Sequence, residues 1–320
     1  MAFTFTDLNK LNINSLSEVI SLTVGVAGEI QKGITVMNGI ANNTPVVSLT
    51  AADKALRKSA GCGSEYLYNN ISDKTKYYEH APIELPIEIC LQSLWGKMIA
   101  KGVKLSDDFS ETELAGFIQS EIQKVVEADL LRLAWLDEDI KVGQEAGYKI
   151  FKNGGILKQL IAGGATVGAL TLTDAGVLAA LRGAIDAQEA SQLDSSEFFV
   201  SSNVMRLYKN LLQDRGNSVA QVTMTDGKPE YYFEGYKINE LRHVSSAALV
   251  DGAHDAFVVF TPKENIQLAM EAADVQIGRF IQDAKTRNYY SQTLFAASAM
   301  VVEVSFAQVW LHAAAVEGGE

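Results

Sequence analysis

A histidine set among carboxylates can hold a metal ion or serve as a general base, and one stretch of this chain offers that pattern. Asp251-Gly252-Ala253-His254-Asp255 places His254 between two acids. The competing reading is a solvated loop leading into the apolar run 256–260, and no further ligand or nucleophile stands nearby in sequence. Only four histidines exist: His80, His243, His254 and His312. Asp137-Glu138-Asp139 could collect a divalent cation, again with no further ligands in view. The stretch Gly163–Leu170, GGATVGAL, lacks the Lys-Ser/Thr end of a phosphate cradle and reads as a tight turn. Cys62 and Cys90 form no CxxC pair, so neither a zinc ribbon nor a thioredoxin-type site is supported. Asn42-Asn43-Thr44 and Asn70-Ile71-Ser72 are glycosylation sequons by pattern only. Tyr231-Tyr232 and Tyr289-Tyr290 read as core or interface aromatics rather than as a base-stacking platform. The residues therefore assign no catalytic, cofactor-binding or metal-ligating group, and no cofactor is expected.

Composition narrows the class further. The chain has 320 residues, 48% hydrophobic and 21% charged. At ~150 residues per domain this is about two domains, or one elaborated domain, with enough apolar material for a real core. Lys+Arg minus Asp+Glu is 27 − 39 = −12. That argues against gripping nucleic acid by charge neutralisation, which needs clustered cations. Two cysteines cannot build a disulfide scaffold and fit a reducing compartment. Residues 1–10 lack the basic and apolar regions of a signal peptide. The most apolar stretch, 294–316, is interrupted by Glu303, Ser305, Gln308 and His312. With Met300, Val302, Val304 and Phe306 on one side and Glu303 and Ser305 on the other, it predicts a half-buried strand and not a membrane span.

The elements follow from spacing. Leu16, Val19, Ile20, Val26, Ile30, Ile34 and Met37 fall roughly on one helical face, with Ser15 and Glu18 as a capping box, but Thr23-Val24-Gly25 weakens the pattern, so 15–40 is either a helix or an irregular arm with helical pieces. Residues 41–80 are polar and poorly patterned, which predicts an arm or extended loop. Residues 83–90, IELPIEIC, alternate strictly, and Pro86 places that strand at an edge or projecting. With the polar stretch before it, it reads as half of a protruding hairpin. Ser110 and Glu113 cap a helix over 110–136, long enough to act as a spine. Gly154, Gly155, Gly163, Gly164 and Gly168 mark turns or close approach. Thr173 caps a helix to about Glu189; 196–202 is a strand; 203–214 is a helix. SVAQVTM, an Asp226-Gly227 turn, YYFEGYKI and AFVVF are extended pieces. Thr261-Pro262-Lys263-Glu264 starts a helix, and 274–280 is either its continuation or a strand. A polar loop covers 283–289. The sum is an α+β body, with antiparallel sheet expected, an N-terminal arm and a protruding hairpin.

The order of these elements resembles the major capsid protein of tailed bacteriophages, of the Hong Kong 97 fold, over about residues 40–311. The stretches that carry the likeness are LRLAWLDED, YKIFKNGGILKQLI, SEFFVSSNVMRLYKNLL, YYFEGYKI, AFVVFTPKENIQLAMEAADVQIGRF and SAMVVEVSFAQVW. The resemblance implies an N-terminal arm at 1–60 and an extended loop at 61–104. It implies a peripheral domain with the spine helix at 105–144 and 286–320, and an axial domain at 145–285. It favours strand over helix at 274–280. It implies a non-enzymatic subunit that assembles with itself into hexamers and pentamers of a virion head, in the host cytoplasm during assembly. Scaffolding, portal and decoration proteins are further partners that it implies; sequence-specific nucleic-acid binding and membranes are not. Relatives with a scaffolding segment carry about a hundred residues before the arm, and only 40 to 60 precede the loop here, so a separate scaffold or the arm itself would serve. Some relatives crosslink a loop lysine to an asparagine of the next subunit, and Lys74 and Lys76 lie in that segment. Gly154-Gly155 and Gly163-Gly164 are the expected flexible joints. Two alternatives remain: the shell protein of a nanocompartment with the same fold, or a soluble α+β enzyme or binding protein using the His254 region.

Overall fold

The structure is a computed structural model that describes residues 20–23, 30–51, 71–90, 111–137, 150–214, 222–225, 228–244, 254–272, 274–277, 281–282 and 288–313. The first part of the chain gives β1 (Ile20–Thr23), the single turn α1 (Ile30–Gly33), β2 (Thr35–Asn38), β3 (Pro45–Ala51), β4 (Ile71–Tyr77) and β5 (Ala81–Cys90). The long helix α2 (Glu111–Leu136) follows, then α3 (Ile156–Ala162), β6 (Thr166–Ala169) and α4 (Asp174–Ala187). Next come β7 (Ser196–Ser201), α5 (Ser202–Asp214), β8 (Val222–Thr225), β9 (Lys228–Phe233) and β10 (Tyr236–Leu241). The chain then runs through β11 (His254–Pro262), β12 (Ile266–Met270), β13 (Asp274–Ile277) and β14 (Ile281–Gln282) to β15 (Asn288–Val301) and β16 (Gln308–Ala313).

Two sheets organise the body. A seven-stranded sheet runs β6-β16-β11-β7-β10-β9-β8, and a five-stranded one runs β14-β15-β12-β2 with β5 added along β15. Both are mixed rather than antiparallel: β7/β10, β6/β16 and β2/β12 pair parallel. Strand alternation sorts the large sheet's side chains onto two cores. Phe199, Phe257, Val259 and Val309 face α2 and α3. Phe198, Val200, Val258 and Phe260 face Val177 and Leu181 of α4 and Val204 and Tyr208 of α5. The small sheet adds Ile266, Leu268 and Val301 to the first core, so α2 lies against both sheets. Trp135 marks the centre. It is fully buried, stacks on Phe257 at 5.6 Å, and donates its indole N–H to the Gly33 carbonyl at 3.2 Å. At 26 residues, α2 is ~39 Å long, as a spine requires.

Local signals explain what formed. The Thr173 hydroxyl accepts from the Gly176 amide and starts α4. Gly154 and Gly164 sit at φ +76° and +82°, the left-handed region where a Cβ is strained. Gly155 lies so close to Trp135 that a Cβ would stand 2.6 Å from its carbonyl oxygen.

Several expectations are corrected. Residues 15–40 do not make one helix: among the described residues 20–23 and 35–38 are strands and only 30–33 turns helically. β-branched Thr35 and Val36 favour extension, and β2 gains a parallel partner in β12. The Ser15–Glu18 box lies outside the described residues. Thr261–Glu264 starts no α-helix; a 3₁₀ turn at Lys263–Asn265 leads straight into β12. Pro262 ends β11 in extended geometry, and β12 is claimed on both edges by β2 and β15. YYFEGYKI is two strands, not one, because Glu234 (φ +50°) and Gly235 (φ +93°) make a hairpin turn with both central residues left-handed. The C-terminal apolar stretch is two strands in two sheets, broken at 302–307. Within the expected polar loop 283–289, residues 288 and 289 already belong to β15. The stretch 81–90 is not half of a hairpin with the segment before it. It pairs along β15 from Ala81↔Ala297 to Cys90↔Asn288. It is an edge strand, as Pro86 requires: among the described residues no strand pairs its other side. The hairpin is β3 with β4, Pro45↔Tyr77 to Ala51↔Ile71. Residues 274–277 form a strand, as the resemblance favoured. β16, counted at sequence level with residues 286–320, pairs with β11 and β6 inside the seven-stranded sheet.

Candidate functional site: the hairpin base and the joint between the sheets

Directly opposed residues of an antiparallel pair share a face. The β3/β4 register therefore puts Val46, Ser48, Lys74 and Lys76 on one side and Pro45, Val47, Thr75 and Tyr77 on the other. The first side lies on the body. Val46 packs beside Tyr78, Ala269 and Met300. Lys76 donates to the Val301 carbonyl at 2.9 Å, and burial lowers its pKa. Lys74 donates to Glu303 Oε1 at 3.1 Å and Ser48 to Oε2 at 3.3 Å. The second side faces outward, with Val47 55% and Tyr77 54% exposed.

What the hairpin rests on is the place where the chain passes between the sheets. It crosses once from β11 through 263–265 to β12, and back from β15 through 302–307 to β16. Asn265 clasps the two crossings. Its Nδ2 donates to the Glu303 carbonyl at 2.8 Å, and its Oδ1 accepts from the Glu303 amide at 2.8 Å. Its own carbonyl accepts from the Val302 amide at 3.0 Å. Gln159 of α3 braces the return crossing, donating to the Ala299 carbonyl and accepting from the Val301 amide. Glu303 itself is buried at 3% exposure. Burial alone would raise its carboxyl; hydrogen bonds from Lys74 and from the Ser305 hydroxyl and amide outweigh that and hold it below the usual carboxylate range. At the hairpin's exit, Glu79 pairs with Lys152 at 2.6 Å, and His80 Nε2 meets the Ile40 carbonyl at 2.8 Å.

The residues weighed for chemistry stay apart. Asp255 pairs with His312 Nδ1 at 2.6 Å across β11 and β16, while His254 opens β11 opposite Ala313. Asp251 lies outside the described residues, as do Glu138, Asp139 and Cys62. Asp137 caps a turn, accepting from the Ile150 and Phe151 amides at 3.1 and 2.7 Å. Among the described residues no group of three or more His, Cys, Asp or Glu is placed to hold a metal ion, and no helix is long and apolar enough to cross a membrane. Lys74 and Lys76 both have partners in their own chain. Sequence reasoning missed Glu303, Asn265 and Ser48. An acid alone in VVEVSF was visible, but strand alternation put it outside; the strand in fact ends at Val301.

No family model and no curated protein matches the chain. Solved structures do. The capsid of Myoviridae phage XM1 superposes with a TM-score of 0.54 at 14% identity, over 98% of this chain and 99% of that one. The satellite phage P4 procapsid, which includes a size determination protein, gives 0.51 at 11% over 89% and 94%. Mycobacterium phage Bobi gives 0.51 at 11% over 98% and 95%. The chain has the Hong Kong 97-type capsid fold. In that fold's α+β frame α2 covers the helix expected over 110–136, whereas the β3/β4 hairpin takes its first strand from 45–51, inside the stretch 1–60 that the resemblance assigned to the arm rather than to the loop at 61–104.

Proposed function

We propose that this chain is the major capsid protein of a tailed double-stranded DNA phage, a non-enzymatic subunit that closes a shell of hexamers and pentamers. The observation that carries the reading is the end-to-end likeness to the XM1 capsid subunit, with nearly all of both chains aligned. The extended loop is residues 45–77, the β3/β4 hairpin, and its outward Val47–Tyr77 face meets an adjacent copy. The five-stranded sheet with α2 forms the peripheral domain. The seven-stranded sheet with α4 and α5 forms the axial domain and includes β16. Residues before 45 form the arm, apart from β2, which belongs to the five-stranded sheet. The subunit's home is the virion, after assembly in the host cytoplasm, with scaffolding, portal and decoration proteins as further partners.

Heterologous contacts, one patch against a different patch, let one sequence close a shell. Each contact is modest, because several act at once. The charge of −12 suits a wall past which DNA is driven rather than one that condenses it. Negative-stain microscopy of the purified chain tests the proposal. Closed shells tens of nanometres across are expected; a monomer at every concentration and ionic strength overturns it.

A further inference from the structure

Glu303 belongs to two structures at once. Through its backbone it is half of the Asn265 clasp that binds the two crossings between the sheets. Through its carboxylate it receives Lys74 and Ser48 from the two strands of the hairpin, and Ser305 from its own crossing. Lys76 adds a second tie two residue pairs further along the hairpin, to Val301 where β15 ends and the crossing begins. A carboxylate buried to this degree is costly to leave without its donors, so the hairpin and the crossing move together or part in a discrete step. From this geometry we infer that Glu303 is a positioning residue that couples the hairpin's tilt to the joint between the two sheets. In a shell, a rotation at the joint would swing the hairpin that grips the neighbour, and engagement of the hairpin would bias the joint. That use rests on the proposed capsid role; the coupling does not, because it lies within one subunit.

Coupling between two places is reciprocal, and this makes it testable on dispersed full-length subunits. Hydrogen exchange with mass-spectrometric readout reports local opening of each segment. In E303Q the amides of 45–51 and 71–77 should exchange about tenfold faster, the loss expected for hydrogen bonds to a charged acceptor. The decisive variant is S48A with K74A. It alters only the hairpin, where Lys74 is 60% exposed, and leaves every hydrogen bond of the Asn265 clasp in place. Faster exchange at 263–266 and 301–307 in that variant is the expected result. Faster exchange in the hairpin alone, with the joint at its wild-type rate, overturns the inference, as does no change in either. Should E303Q not fold, by far-UV circular dichroism, the double variant decides by itself. Failure of the chain to form shells while both segments respond would sink the capsid reading and leave the coupling standing.

Discussion

A single carboxylate, Glu303, sits in an apolar run with its charge turned inward to meet the hairpin. The sign of its pH dependence follows from the direction of its shift. Its folded pKa is below the ordinary value of about 4.3, so its contribution is fully present above that value and is lost as pH falls through the folded one. The hairpin should therefore stay protected near neutrality and open only in acid, below the usual carboxylate range, and E303Q should remove that acid step. Limited proteolysis within 45–51 and 71–77, scanned from pH 7 to pH 3 with an acid-active protease, measures it. An acid step of the same size in E303Q would assign the opening to another group. At this scale the sequence was half legible. The acid in VVEVSF could be seen, but its donors Lys74 and Ser48 stand 229 and 255 residues away, and no local pattern announces such a pairing.

Among elements, those defined by their own residues were readable and those defined by partners were not. A cap plus a 3.6-residue apolar period identified α2 and α4, because both signals act within a few turns. The cap-like Thr-Pro-Lys-Glu misled, since the same residues suit a single 3₁₀ turn, and β2 and β15 on either side of 266–270 made the difference. Strict alternation found β5, but only β15, 200 residues on, settled that it lies flat on the body. Thr173 gives a direct check on the legible class. T173A removes the acceptor of the Gly176 amide and should lower stability by about 1 kcal/mol, read as a fall in denaturation midpoint, while T173S should restore most of it. The hairpin's outward face gives a check on the other class. V47D with Y77D changes two side chains that are more than half exposed, so the subunit's own stability should move by no more than about 0.5 kcal/mol. Shell yield should nevertheless collapse, since the two changes put buried charge into the contact with the next copy. Sedimentation of wild-type and variant side by side separates the two effects; shells at wild-type yield would show that the outward face is not a contact.

At the scale of the whole molecule, charge and apolar surface oppose each other. On the proposed capsid role every subunit brings −12 to the shell, so like-charged copies would repel as it closes. Against that stand exposed apolar residues spread over separate elements: Val47 and Tyr77 on the hairpin, Leu294 on β15, Met224 on β8. If apolar burial drives assembly and net charge resists it, added salt should help. The screening length shrinks from about 10 Å at 0.1 M to about 3 Å at 1 M, which weakens repulsion between neighbours and leaves apolar burial intact. The concentration at which shells appear should therefore fall as sodium chloride rises from 0.05 to 1 M, and level off once repulsion is screened. Light scattering across a concentration series at each salt measures this onset. An onset that climbs with salt would mean that exposed ion pairs between copies hold the lattice, and would move the search for contacts from the apolar faces to charged side chains such as Glu84 and Glu88 on the exposed face of β5. On the proposed role, a wall assembled by apolar contact and kept acidic would reconcile two demands: adhering to its own copies and staying indifferent to a polyanion inside.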